Sequence, residues 1–177
     1  NSALDVCREI KKGIRFIVVG DGSLYDEMVQ KCNENENGKN IIFTGSVKHE
    51  LINNFHKISD IYVSTNSDGN LINANLEAIS QNACMLIPYP QPELNIDNRT
   101  TELLKDCVQY YKLNDYKDLS SNIKYLLSNP KKRNSLEKKL SRRKLTFMRS
   151  WRERVEEEEK IINKILMGKK ECAEYLE

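Results

Sequence analysis

Glu77 is the residue in this chain best placed to do chemistry. It stands in a run from Thr65 to Pro88 that reads as a polar loop, a helix start, a carboxylate inside that helix and a buried strand. An anion can settle where the helix begins, around Leu71, Ile72 and Asn73. Unpaired backbone N–H groups and the positive end of the macrodipole converge there. One turn further in, the Glu77 carboxylate can accept two hydrogen bonds from a neighbouring diol. A phosphate at the helix tip with a ribose beside it is the footprint of a nucleotide. The flanking Leu76, Ala78 and Ile79 predict a largely buried helix, in which a carboxylate needs partners.

Two other loops leave strands in positions suited to a ligand. Gly20-Asp-Gly-Ser23 matches half of the dinucleotide fingerprint G-x-G-x-x-G, but Tyr25 replaces its third glycine. The following strand runs into Thr44-Gly45 with no acidic residue, so a nicotinamide or flavin dinucleotide is not expected. Gly20 and Gly22 either touch a ligand or only form a tight turn. In Thr44-Gly-Ser-Val-Lys-His49, Gly45 lets a backbone approach a flat group, and Ser46, Val47 and Lys48 can meet a base through main-chain atoms. Taken alone, that loop reads first as a turn before a helix.

The elements that must position these residues follow from periodicity. Short apolar runs at Ile14–Val19, Ile41–Thr44, Asp60–Ser64 and Cys84–Pro88 read as buried strands. Cys107–Tyr111 reads as a fifth, at the edge. Helical patterns lie between them, the first around Leu4–Ile10 and others at Ser23–Asn33, Lys48–Ile58 and Ala74–Gln81. After Asp118 the chain is helical: Leu119–Leu127, a break at Asn129-Pro130, Ser135–Thr146, and Trp151 to about Met167. The residues from Asn33 to Asn40 predict a solvated, mobile loop, and Pro88, Pro90 and Pro92 another. Alternation with short connections predicts an α/β fold, a doubly wound parallel sheet covered by helices on both faces. The division expected is 1–150 for this domain and 151–177 for a C-terminal helical tail.

Composition sets outer bounds. The chain has 177 residues, with 28 Lys and Arg against 26 Asp and Glu, so its charge identifies no acidic partner. Basic residues crowd Lys131–Arg154, which predicts a solvated helical face, and nucleic acid is not an expected partner. The cysteines lack C-x-x-C spacing and there are only two histidines, His49 and His56. Neither a zinc site nor a disulfide framework is expected, and Cys7, Cys84 and Cys107 read as small core residues in a reducing, cytoplasmic setting. A start at Asn1, almost inside a helical pattern, suggests a piece of a longer polypeptide.

The chain resembles the C-terminal half of a retaining GT-B glycosyltransferase of the glycosyl transferases group 1 type, a Rossmann-like half of that fold. Phe16-Ile-Val-Val-Gly-Asp-Gly22 is similar to the family's strand followed by glycine, acid, glycine. Asn40-Ile-Ile-Phe-Thr-Gly45, Ser59-Asp-Ile-Tyr-Val-Ser64, Asn70-Leu-Ile-Asn-Ala-Asn-Leu-Glu-Ala78 and Ser150-Trp-Arg-Glu-Arg154 resemble its later motifs, in order.

The resemblance implies a hexosyltransferase parent in polysaccharide or glycoconjugate biosynthesis. It would move a sugar from a nucleoside diphosphate sugar to a hydroxyl acceptor (glycan, lipid-linked or protein) with retention. It implies diphosphate at Leu71, Ile72 and Asn73, ribose at Glu77, base near Gly45, Val47 and Lys48, and Gly20 and Gly22 beside the donor. No cofactor or metal is implied beyond the nucleotide sugar. Where the family carries a second glutamate this chain has Gly69, and Asp68, one residue earlier and shorter, is the candidate donor-sugar contact. The family's basic pair and acceptor site belong upstream, in an N-terminal domain that the last helix would cross back to meet. The fragment is then inactive alone, and the parent works in the cytoplasm or at the cytoplasmic membrane face. A degenerate transferase-like binding or regulatory module is the alternative.

Overall fold

The computed structural model describes residues 1–10, 13–67, 70–89 and 99–174, with side chains to residue 167. Strands β1 (Phe16–Val18), β2 (Ile41–Phe43), β3 (Tyr62–Val63), β4 (Met85–Pro88) and β5 (Gln109–Tyr111) alternate with helices. The helices are α1 (Ser2–Glu9), α2 (Tyr25–Asn33), α3 (His49–Ile58), α4 (Asn73–Ser80), α5 (Arg99–Leu104), α6 (Tyr116–Ser128), α7 (Pro130–Lys144) and α8 (Trp151–Glu174). The chain divides into two compact units, Asn1–Arg143 and Lys144–Glu177.

Every strand pair is parallel. β1 lies beside β2 with Phe16 opposite Ile41, and β3, β4 and β5 form a second group in that order. Helix α1 packs with α6, and α3 with α4. This is the α/β, doubly wound architecture expected from the alternating pattern.

The core is centred on β4. Met85, Leu86 and Ile87 are buried, and Val6, Cys7, Cys84, Tyr111, Ile123, Leu126 and Leu136 belong to the same apolar cluster as Leu86. Each large aliphatic side chain so buried contributes about 1.5–3 kcal/mol. Asp115 caps α6, its carboxylate accepting from the N–H groups of Lys117 and Asp118 at 3.1 and 3.0 Å. Helix α4 ends on Asn82, whose φ of 57° is the left-handed turn that asparagine tolerates.

Three local readings change. The polar stretch expected as a mobile loop closes into a 3₁₀ turn, Glu36–Asn40, capped by the Asn35 side chain accepting from Asn37 N–H at 3.0 Å. Its asparagines bond locally to the backbone instead of simply facing water. Helix α5 was not foreseen, since its six residues are too few for a helical period to register; Pro90 and Pro92 lie outside the described residues. The basic face of α7 is also not all solvated. Arg133 donates to the Leu126 and Leu127 carbonyls at 2.7 and 3.1 Å, and Arg143 to that of Leu103 at 2.6 Å.

The second unit opens with a capping box. Ser150 Oγ accepts from Glu153 N–H at 3.2 Å, while the Glu153 carboxylate accepts from Ser150 N–H at 2.7 Å. These bonds hold the Glu153 carboxyl below the usual range. Trp151, Val155, Ile162, Ile165 and Leu166 are exposed along α8.

Gly38 gives a direct test of the closed turn, because a Cβ there would lie 1.9 Å from the Cys32 carbonyl oxygen. Gly38→Ala is expected to cost ~2 kcal/mol or more, read as a lower urea midpoint. A change under ~0.5 kcal/mol would mean that the turn is open in solution.

Candidate functional site

The loops that leave the strands gather at their carboxyl ends, where open parallel sheets receive ligands. Helix α4 begins there with Ile72 as its N-cap residue, no side-chain cap and no acidic group in its first turn. The N–H groups of Asn75 and Leu76 are both bonded to the Ile72 carbonyl, at 3.0 and 3.1 Å. Asn73 and Ala74 are exposed, so the amide end of the helix meets solvent. An uncapped helix end with an accessible first turn is an electrostatically favourable seat for an anion.

Burial of Ala78 and Ile79 on the opposite side fixes the rotation of α4. Glu77 is left at the margin, its side chain 24% exposed, with Oε1 3.4 Å from His49 Nδ1. His49 opens α3 and is exposed, so the pair is screened and one carboxylate oxygen remains for other partners. His56 and Tyr62 stack at an angle nearby, ring centroids 5.3 Å apart. Burial pushes the His56 imidazole below its ordinary value, and the charge of Glu77 pulls it back up.

The two glycine loops are joined to each other. Gly20 N–H donates to the Gly45 carbonyl at 2.9 Å, and both glycines have positive φ, 125° and 64°. A side chain at either position would be strained. Tyr25, in place of the fingerprint's third glycine, packs edge-on to Phe43. Gly22 has no positive φ and open space around it. Val47 is half-buried, and Lys48 is the exposed N-cap residue of α3. Gly20, Gly45, Val47 and Lys48 therefore lie together on the β1–β2 side, with His49 linking their loop to Glu77. Leu71, Ile72 and Asn73 form the mouth of α4. Asp68 lies outside the described residues.

Beside the α4 mouth is a polar hollow that includes Ser64, Asn66, Asn75, Tyr89 and Thr100. Asn75 is 2% exposed, and its Oδ1 accepts from Tyr62 Oη at 3.0 Å. Asn66 Nδ2 donates to Asn70 O and Oδ1, both at 2.9 Å, and so shapes the loop. Thr100 Oγ1 is buried with no partner among the described residues. Sequence reasoning missed His49, Asn75 and Thr100. The spacing Asn73-x-Asn75 inside an apolar helix was the available signal for Asn75; Thr100 had none, because α5 itself was invisible. No group of three or more His, Cys, Asp or Glu that could hold a metal occurs among the described residues. Nor is any described helix long and apolar enough to cross a membrane.

Fold and loops together define the class: an open parallel α/β domain with these loops at the carboxyl ends of the strands. The chain belongs to the glycosyl transferases group 1 family, whose model matches residues 1–143. Its fold is similar to that of the C-terminal domain of a group 1 glycosyl transferase, LpcC, from Francisella tularensis. The TM-score is 0.65 at 18% identity, over 82% of this chain and 75% of that one. TarM is similar at a TM-score of 0.64 and 16% identity, over 93% of this chain and 30% of its own. Sucrose-phosphate synthase from Thermosynechococcus elongatus gives 0.64 and 13%, over 95% and 51%. At these identities the fold is what is shared, and the chain spans about half of the synthase and under a third of TarM. Among curated proteins no match was found.

Burial pushes the Tyr62, Tyr110 and Tyr111 phenols up to about 12, with the Glu77 charge adding to the rise at Tyr62 and a Ser64 hydrogen bond opposing it. A phenol raised above its unfolded value of 10.0 leaves stability intact below pH 10 and removes it as pH climbs toward 12. Tyr62→Phe is expected to flatten that alkaline loss. It also orphans Asn75 Oδ1, at a cost of about 1–2 kcal/mol near neutral pH. Urea midpoints of both proteins at pH 8, 10 and 11.5 check this, and parallel curves would remove Tyr62 as a contributor.

Proposed function

We propose that this chain is the donor-binding half of a glycosyltransferase that moves a sugar from a nucleoside diphosphate sugar to a hydroxyl acceptor with retention. Membership of the group 1 family gives the transferase class. The observation that carries the finer reading is the pairing of an uncapped, exposed α4 N-terminus with the partly buried Glu77 carboxylate one turn inside it.

In this reading the diphosphate meets the backbone of Leu71, Ile72 and Asn73, and the Glu77 carboxylate accepts from the ribose hydroxyls. The Gly45 to Lys48 loop lies near the base, and Gly20 to Gly22 beside the donor. The hollow at Ser64, Asn66, Asn75 and Thr100 offers hydroxyl and amide groups to the transferred sugar, and Asp68 remains the candidate sugar contact by sequence. Chemistry needs the bond from the anomeric carbon to the diphosphate to break, with negative charge growing on the leaving oxygen. The amide end of α4 stabilises that charge by fixed dipoles, which cost no reorganisation as the reaction proceeds. No metal or further cofactor is assigned.

The acceptor site, the cations that neutralise the diphosphate, and catalysis itself are assigned to a second domain of the parent. The exposed apolar residues of α8 are assigned to contact with that domain, which favours 151–177 as a crossing segment. Alone, the chain binds nucleotide weakly and transfers nothing. Action in the cytoplasm, or at the cytoplasmic face of a membrane on a lipid-linked acceptor, belongs to the same proposal.

Titration with UDP, GDP and ADP, followed by amide NMR, tests it. Shifts are expected at Gly20–Gly22, Thr44–Lys48 and Leu71–Glu77, for one base above the others. Glu77→Gln is expected to weaken binding roughly 10- to 100-fold, the worth of charge-assisted bonds to the ribose. Shifts elsewhere, or binding indifferent to the substitution, would sink the assignment. Silence at millimolar nucleotide in the full-length parent as well would favour a degenerate binding or regulatory module. Efficient sugar transfer by the 177-residue chain would refute its proposed incompleteness.

A further inference from the structure

The Glu77 carboxylate is short of partners. It is partly buried, yet among the described residues it accepts no hydrogen bond, and its one ion-pair partner is His49. A carboxylate withdrawn from water is ordinarily met by several donors. Here one oxygen, Oε1, faces the imidazole Nδ1 at 3.4 Å, and the rest of the acceptor capacity is left to a ligand.

That contact belongs to a register between two helices. His49 and Asn53 stand four residues apart on α3, and Glu77 and Gln81 four apart at the matching stretch of α4, so each pair shares a helix face one turn apart. Gln81 Nε2 donates to Asn53 Oδ1 at 3.4 Å, one turn along from the His49–Glu77 contact, and to Ser80 Oγ at 3.2 Å. The pairing sets the first turn of α3 beside the middle of α4 and so decides which side of Glu77 the imidazole meets.

The other groups that act on Glu77 do not hold it. His56 and Tyr62 feel its charge, but neither bonds to it, and the two rings pack on each other. His49 is exposed and follows directly on the Gly45–Lys48 loop. It therefore links the loop assigned to the base with the carboxylate assigned to the ribose.

We propose that His49 is a positioning residue, which draws Oε1 of Glu77 toward α3 and turns the carboxylate for a vicinal diol, so that the site selects ribose over 2′-deoxyribose. The proposal rests on the reading of Glu77 as the ribose acceptor. With a proton on Nδ1 the imidazole attracts Oε1. Holding one oxygen of a flexible glutamate removes freedom that would otherwise be lost when the ligand binds. A single hydroxyl can be accepted by a carboxylate in many orientations, whereas two at a fixed spacing demand one plane. Orientation by His49 therefore benefits the diol and leaves the 2′-deoxy sugar nearly unaffected.

Calorimetric titration of the full-length parent with UDP, GDP and ADP, each beside its 2′-deoxy form, tests it. The base that binds is expected to favour ribose roughly tenfold or more. His49→Ala should weaken the ribose form roughly two- to fivefold, the worth of an exposed pair, and leave the 2′-deoxy form unchanged. His49→Asn, whose amide nitrogen takes the place of Nδ1, should restore the preference. In a Glu77→Gln background His49→Ala should alter neither form. An unchanged preference in His49→Ala, equal weakening of both forms, or a His49→Asn protein as poor as His49→Ala overturns the proposal and leaves the ribose reading intact. A native protein that does not distinguish ribose from 2′-deoxyribose, or that binds none of the three nucleotides, overturns that reading and the proposal with it.

Discussion

The burial of β4 between its two neighbouring strands is the constraint on which the rest of the domain depends. Met85, Leu86 and Ile87 can be removed from water only if their peptide groups are bonded on both edges, and β3 and β5 supply those bonds in parallel register. The same burial fixes α4, whose Ala78 and Ile79 are fully buried. Once that face is committed, a helix of 3.6 residues per turn leaves no freedom over where Glu77 and Asn75 point. The Glu77 carboxylate is thus positioned by apolar contacts on the other side of its own helix.

Polar groups near α4 are held by that framework in two different ways. Asn75 is buried and bonded to Tyr62, which ties the helix to β3, whereas Glu77 is left at the margin beside an exposed histidine. A fully buried carboxylate would face a desolvation penalty that its environment would have to offset. At the margin, 24% exposed, it stays partly in contact with water. Thr100 is the exception, a buried hydroxyl in the wall of the adjoining hollow with no partner among the described residues.

The domain is also uneven, and the unevenness is physical. Residues from α4 to α7 surround β4 and supply most of the core, while the β1–α2–β2–α3 half remains only partly covered. Strands β1 and β3 are three and two residues long, and among the described residues each pairs with one strand only. The tail shows the opposite balance. Helix α8 is set at its start by the Ser150–Glu153 capping box, yet its apolar side chains are exposed, so local bonding rather than packing defines it.

The sequence by itself determined the alternation of strands and helices, the parallel class of the sheet, the start of α4 and the left-handed Asn82 that ends it. These depend on periodicity, β-branching and turn chemistry, which act over a few residues and are legible without the fold. It also carried the motif order that marks a group 1 glycosyl transferase. Tertiary structure alone decided that Gly20 bonds to Gly45, that His49 meets Glu77, that Arg133 and Arg143 close helix and loop ends, and that Gly38 is pressed against Cys32. It alone brought Thr100 to the hollow beside Asn75. Each of those contacts joins residues with no shared period, so only the packing of one element on another could select them.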